Sequence, residues 1–170
     1  MDHLDTDAVK QKFRPRSMRL HEWNYASAGW YFVTICTRDR YPFFGEIDEE
    51  GKMNLNPLGK IVEEYWLKIR SLHSSIELDE YMIMPDHLHG ILIIDHEYEE
   101  KMPRRWQKGS LGVMMNQFKG ATTKQIWAMG YKDFAWQRNF YDHVIRNEKD
   151  LQRIREYIFS NPEAEACRDK

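Results

Sequence analysis

Seven consecutive residues, Met84-Pro85-Asp86-His87-Leu88-His89-Gly90, constrain this chain more than any other segment. Tyr81-Met82-Ile83 precedes them and Ile91-Leu92-Ile93-Ile94 follows. Apolar, β-branched runs around a lone proline read as two strands, or as one strand with a bent entry. With Leu88 extended, side chains alternate, so His87 and His89 leave the strand on one face, about 7 Å apart at the backbone. Leu88 then points into the core. Two imidazoles at that spacing can converge on one divalent ion. They equally suit an ordinary strand end with satisfied ring nitrogens, and H-x-H alone does not separate the two.

The flanking sequence supplies a layered fold for such a strand. Tyr31 to Thr37 is rich in β-branched and aromatic residues and reads as a central strand, with Phe43 to Ile47 as a short partner and a turn over 48–52. Asn56-Pro57 reads as N-cap and first helical residue of a helix over 57–71, whose Leu58, Ile61, Val62, Tyr65, Trp66 and Ile69 form one apolar face. Strands follow at 76–84 and 88–94. Ser110 is a plausible cap for a second helix carrying Val113, Met114, Phe118 and Ile126; Phe140 to Ile145 reads as a last strand. Asn147 caps a third helix with Leu151, Ile154 and Ile158 on one face, ending at Asn161-Pro162. The order β-β-α-β-β-α-β-α predicts an α+β fold, an antiparallel sheet with helices packed on one face. At 170 residues the chain is one domain over 21–165, preceded by a basic arm (1–20) and followed by a tail (166–170).

Charge is segregated although the total is only −2. Between Lys101 and Lys132 lie seven basic residues and no acid; between Lys10 and Arg19 lie five, again with no acid. The acids gather in 46–50, 77–80 and 95–100. Blocks of one sign predict a basic face for phosphates and an acidic face for water, against the plainer reading of solvated surface with chance clustering. Cys36 and Cys167 are far apart and form no C-x-x-C, so neither a zinc ribbon nor a disulfide framework is expected. No apolar run approaches 18 residues, and Met1 to Asp5 opens no signal-peptide pattern. The expectation is a soluble, cytoplasmic protein with no membrane partner.

The third helix carries the second chemical cluster. Tyr157 and Asn161 stand four residues apart and share a face. A carboxamide oxygen suits a hard ion such as Mg²⁺ or Mn²⁺. A phenol ionises near pH 10 and is a weak nucleophile at neutral pH, so it needs an electrophile already polarised by a metal, such as a ligated phosphodiester. By spacing alone the pair also fits a tyrosine packed over the sheet and an asparagine closing the helix before Pro162.

Tyr157-Ile158-Phe159-Ser160-Asn161-Pro162, the preceding Trp136 to Arg146 segment, the Met84 to Gly90 segment and the Arg19 to Arg40 block with Tyr31-Phe32-Val33-Thr34 occur in one order over residues 13 to 163. Together they resemble IS200-like transposases of the REP-associated tyrosine transposase branch, within the HUH single-stranded DNA endonucleases. The resemblance implies a ferredoxin-like sheet with the H-x-H pair on a central strand. It implies His87, His89 and Asn161 as ligands of Mg²⁺ or Mn²⁺, with Asn161 where shorter relatives carry Gln, and Tyr157 as the nucleophile that forms a 5′-phosphotyrosine. The implied partner is single-stranded DNA with a hairpin, at REP-like or inverted-repeat ends, engaged by a monomer or homodimer. Phosphates would meet Arg14, Arg16, Arg19, Arg104, Arg105, Lys108, Lys119 and Lys124, and unpaired bases would stack on Trp106, while Trp136 stays in the core. Tyr141, beside Asp142 and His143, is the rival nucleophile. Two other functions are open at this stage: a non-cutting binder of DNA or RNA hairpins, and a hydrolase of small phosphoesters using metal-bound water.

Overall fold

Two strands are apolar on both faces, and that sets the layering. In β1 (Gly29–Cys36), Tyr31, Val33 and Ile35 point one way and Phe32 the other; in β5 (His87–Ile94), Leu88, Leu92 and Ile94 oppose Ile91. A strand buried on both sides belongs in the middle of a covered sheet. The structure, a computed structural model, describes residues 27–95 and 110–166, with side chains through Pro162. It places β1 and β5 side by side at the centre of a four-stranded antiparallel sheet, flanked by the more polar β4 (Ile76–Ile83) and β6 (Tyr141–Ile145) in the order β4-β5-β1-β6. With α1 (Pro57–Leu72) crossing from β1 to β4 and α2 (Leu111–Ala128) from β5 to β6, this is the β-α-β-β-α-β order of a ferredoxin-like sheet. The α+β class and antiparallel sheet agree with the sequence reading.

Both crossover helices lie on one face. Asn56 caps α1 as expected, its Oδ1 accepting from Leu58 N (2.9 Å) and Gly59 N (3.0 Å). Leu58, Val62, Trp66 and Ile69 then face the sheet. Gly90 lets the two layers meet: a Cβ there would stand 2.2 Å from Trp66 Cζ2. α2 adds Leu111, Met114, Met115, Phe118 and Ile126, and an aromatic cluster of Phe43, Phe44, Phe118, Phe134 and Trp136 closes the end of this core. Ser110 has the extended backbone of a cap, yet its hydroxyl makes no capping bond.

Three features depart from the sequence reading. The partner strand after β1 is a separate hairpin of β2 (Gly45–Ile47) and β3 (Met53–Leu55), not part of the main sheet. The third helix, α3 (Glu148–Ala166), lies on the face opposite α1 and α2: Leu151, Ile154 and Ile158 bury against Phe32, Ile91 and Ile145. One-sided packing therefore holds only for the two crossover helices, because Phe32 and Ile91 would otherwise leave an apolar face bare. The helix also continues through Pro162, which is buried, rather than stopping there. Proline so near a helix end forfeits one backbone bond without ending the coil. Among the described residues no helix is long and apolar enough to cross a membrane. The arm (1–20) and the last tail residues (167–170) lie outside the described residues.

Candidate active site

The turn from β4 to β5 is pinned before the histidines begin. Met84 N donates to His87 O (2.8 Å), while Pro85 O accepts from Phe44 N (2.9 Å) and Asp86 O from Thr37 N (2.8 Å). Buried Thr37 adds its hydroxyl to Asp86 O at 3.0 Å. His87 and His89 follow on one face, both 4% exposed, with Leu88 wholly buried in the opposite core. The alternation expected of the H-x-H strand is what the structure shows.

Each ring is oriented through its Nδ1. That of His87 lies 2.6 Å from Asp86 Oδ1, and that of His89 lies 2.8 Å from Thr34 Oγ1, the register partner across β1. Asp86 is paired in turn with Arg40 (Nε to Oδ2, 2.7 Å), and Arg40 Nη1 donates to Cys36 Sγ at 2.9 Å. Asp39 and Arg40 carry φ of 58° and 56°, a left-handed pair of non-glycine residues that costs about 1–2 kcal/mol each. The ion pair to Asp86 is among the contacts holding that turn. Thr34, Arg40 and the positioning role of Asp86 were missed by sequence reasoning. Only the acid immediately before His87 gave a signal; Thr34 becomes visible with the strand register.

With both Nδ1 atoms held, the two Nε2 atoms face each other at 3.0 Å. Burial, with the charges of His87 and Arg40, pushes the His89 imidazole down to about 3, so that ring is neutral at physiological pH. Burial raises the Asp86 carboxyl, but the His87 hydrogen bond and the charges of His87 and Arg40 outweigh it and hold the group below its ordinary value. If Asp86 and Thr34 accept from the Nδ1–H groups, two Nε2 lone pairs converge on one point. If instead Thr34 donates, one Nε2–H bonds the other ring. The first arrangement calls for a cation, and nitrogens about 2.1 Å from one ion at a right angle stand about 3 Å apart. In that arrangement, though not in the second, the pair fits a divalent metal.

Among the described residues no three His, Cys, Asp or Glu side chains gather as a ligand set, so a third donor drawn from them would have to be of another kind. Asn161 supplies a candidate. Its Nδ2 is buried and has no hydrogen-bond partner among the described residues. The two ends of a carboxamide interchange by a half turn, which would bring the Asn161 oxygen to that buried position.

Tyr157, one turn earlier on α3, meets His89 within the same chain. Its ring centroid lies 5.2 Å from that of His89, at 64°. Phe32 stacks on His89 (5.5 Å, 25°) and takes the edge of Tyr157 at 6.2 Å. Half of Tyr157 is exposed. Tyr141, the rival, packs against Phe32 at 6.2 Å. Trp136 is in the core, as expected, donating to Thr122 Oγ1.

Of the expected phosphate contacts, Lys124 is exposed on a groove of about 630 Å³ shared with Lys119, Trp127, Lys132 and Arg138. Lys119 is tied into the fold: its Nζ donates to the carbonyls of Gln137 (2.6 Å) and Arg138 (3.2 Å). Arg14, Arg16, Arg19, Arg104, Arg105, Trp106 and Lys108 lie outside the described residues.

Residues 26–161 match the family described as "Transposase IS200 like". An uncharacterized protein of Haemophilus influenzae is 37% identical over 160 residues, covering 86% of this chain and 87% of that protein. A REP-associated tyrosine transposase of Escherichia coli is 30% identical over 138 residues, covering 81% and 68%. A solved REP-associated tyrosine transposase bound to a REP hairpin superposes with a TM-score of 0.61 at 22% identity, over 87% of this chain and 74% of that one, which shows a shared fold.

Proposed function

Because this chain belongs to the IS200-like transposase family, we propose that it is a metal-dependent endonuclease and strand transferase of single-stranded DNA, cutting and rejoining it beside hairpins through a covalent tyrosine link. The observation that carries this reading is the meeting, in one chain, of the Tyr157 ring with His89, whose Nε2 faces that of His87 at 3.0 Å. A core histidine pair has no need of a half-exposed phenol beside it. REP hairpins, the ligand of the structural relative, are the model for the DNA.

In this reading His87, His89 and Asn161 hold Mg²⁺ or Mn²⁺, which when bound would polarise a phosphodiester as a Lewis acid. Asp86 and Thr34 keep the imidazole lone pairs aimed. The Tyr157 oxygen attacks phosphorus; a bond from phosphorus to that oxygen forms and the bond to the 3′-oxygen breaks. The phenol proton passes to solvent, and the departing 3′-oxygen takes one up. The DNA 3′ of the cut stays attached through its 5′-phosphate. Rejoining is the reverse, with another 3′-hydroxyl as nucleophile and no ATP, since one ester is exchanged for another. Lys124 and its neighbours on the basic groove attract the sugar–phosphate chain.

The test uses the full chain, Mn²⁺ and an oligonucleotide bearing a hairpin from the DNA that flanks the coding region. Label on the 3′ end is expected to migrate with the protein, label on the 5′ end to be released, and Tyr157→Phe to abolish the adduct. No adduct on any tyrosine, with salt-dependent binding alone, would identify a hairpin binder instead. Hydrolysis that survives Tyr157→Phe would identify a metal-water hydrolase.

A further inference from the structure

Beside Tyr157 the surface opens into a small cavity. It measures about 250 Å³ and is lined by Phe32, Tyr141, His143, Arg153, Ile154 and Tyr157. Phe32 meets Tyr141 at 69° and Tyr157 at 85°, both at 6.2 Å, so two tyrosine rings stand edge-on to it. The polar side is built as well. Asp150 accepts at Oδ1 from Arg153 Nη2 (2.7 Å) and lies 2.7 Å through Oδ2 from His143 Nε2, and its own backbone N–H is held by Asn147 Oδ1 (2.9 Å). One carboxylate thus positions a guanidinium and an imidazole at an aromatic slot.

Size, chemistry and place decide the occupant. The volume falls below the range of drug-sized pockets, enough for one planar ring system but not for a base pair. Aromatic walls beside an exposed guanidinium that Asp150 holds through one bond suit stacking and edge hydrogen bonds, the means by which proteins hold an unstacked base. Because Tyr157 is itself a wall, whatever fills the slot adjoins the atom that reacts. We infer that this cavity receives the nucleobase next to the scissile phosphate, Phe32 and Tyr141 contacting its ring and Arg153 and His143 reading its edge. The inference rests on the strand-cutting reading and assigns that site a choice of base.

Once the cut has been mapped from the wild-type adduct, each flanking nucleotide is replaced in turn by an abasic residue. In the wild type one replacement next to the cut is expected to slow adduct formation by about five- to 150-fold, the range for one stacked base. Tyr141→Ala, at a half-exposed position, is expected to slow the intact DNA comparably and to lose the abasic penalty at that nucleotide only. Tyr141→Phe should restore both, and Arg153→Gln should change which base is preferred there. An abasic penalty in Tyr141→Ala equal to that of the wild type overturns the inference and leaves the strand-cutting reading standing. A wild-type protein that forms no adduct overturns both.

Discussion

Replacing Arg155 by alanine separates how α3 sticks from how it is aimed. Arg155 reaches across to the edge strand, donating from Nε to Asp79 Oδ1 (2.9 Å) and from Nη2 to Asp79 Oδ2 (2.6 Å), with its guanidinium 5.9 Å from the Trp30 ring centroid. Adhesion comes mainly from Leu151, Ile154 and Ile158, whose burial contributes about 1.5–3 kcal/mol each. The ion pair is two-pronged and partly shielded, its side chains 31% and 14% exposed. It lies between a surface pair, worth about 0.2–1 kcal/mol, and charged hydrogen bonds of about 1.5–3 kcal/mol, so about 2 kcal/mol is the expected loss. For a chain of this size that lowers Tm by about 4–8 °C. The helix stays docked but keeps only the contact of Asp150 with His143 as a described polar tie to the sheet, and a misplacement of about 1 Å can cost up to about a hundredfold in rate.

The pH dependence follows from Asp79, whose carboxyl the Arg155 hydrogen bonds hold below its ordinary value against a raising effect of burial. A lowered folded-state value stabilises the protein above the unfolded carboxylate value, about 3.9, and that contribution disappears as pH falls through the folded value. The Tm gap between wild type and Arg155→Ala should therefore be constant from pH 5 to 8 and close in strong acid. Thermal denaturation followed by circular dichroism, with adduct formation on labelled DNA, measures both effects. An unchanged Tm and rate would refute the clamp; a lowered Tm with an unchanged rate would refute the claim that it aims Tyr157.

Two further changes probe the strand that carries the histidines. Asp86→Asn removes the charged partner of His87 Nδ1, and about a ten- to hundredfold higher Mn²⁺ requirement for adduct formation is expected; an unaltered metal titration would contradict the orienting role. Gly90→Ala drives a methyl to 2.2 Å from the buried Trp66 ring and should cost about 1–3 kcal/mol, read as a lowered Tm, whereas Gly120→Ala, with nothing within 4 Å, should be neutral or slightly stabilising. Equal behaviour of the two glycine variants would sink the close-packing account.

Local chemistry made much of this legible. Asn56-Pro57 and Asn147 mark their helix starts through bonds seen in the structure, and period-two alternation places Leu88 opposite His87 and His89. Non-local pairing stayed hidden. Thr34 supports His89 because β1 and β5 pair in one register, 55 residues apart in sequence. Arg40 reaches Asp86 through a left-handed turn that no glycine advertised. The hairpin of β2 and β3 looked like one more strand of the sheet, since three-residue strands carry too little pattern to reveal their partner. Periodicity found the apolar stripe of α3 but not which face it covers, because a stripe states that a helix is amphipathic and not what it meets.

That face is where folding and chemistry join. A ferredoxin-like core with only its two crossover helices would leave Phe32 and Ile91 bare beside His87 and His89, two apolar side chains and two imidazoles on an open sheet. Leu151, Ile154 and Ile158 cover the apolar part. One helical turn relates Ile154 to Ile158, and Tyr157 lies between them in sequence with its ring over His89. The position of the phenol is thus set by the register in which the aliphatic stripe seats. A shift of α3 by one turn would move the ring about 5.4 Å along the helix axis, taking it off His89. Hydrophobic burial opposes that slip, because the place of Leu151 would pass to Arg155 or Asn147. The two-pronged bond from Arg155 to Asp79 opposes it as well, and with the contact of Asp150 to His143 it ties the helix that carries the tyrosine to both edges of the sheet.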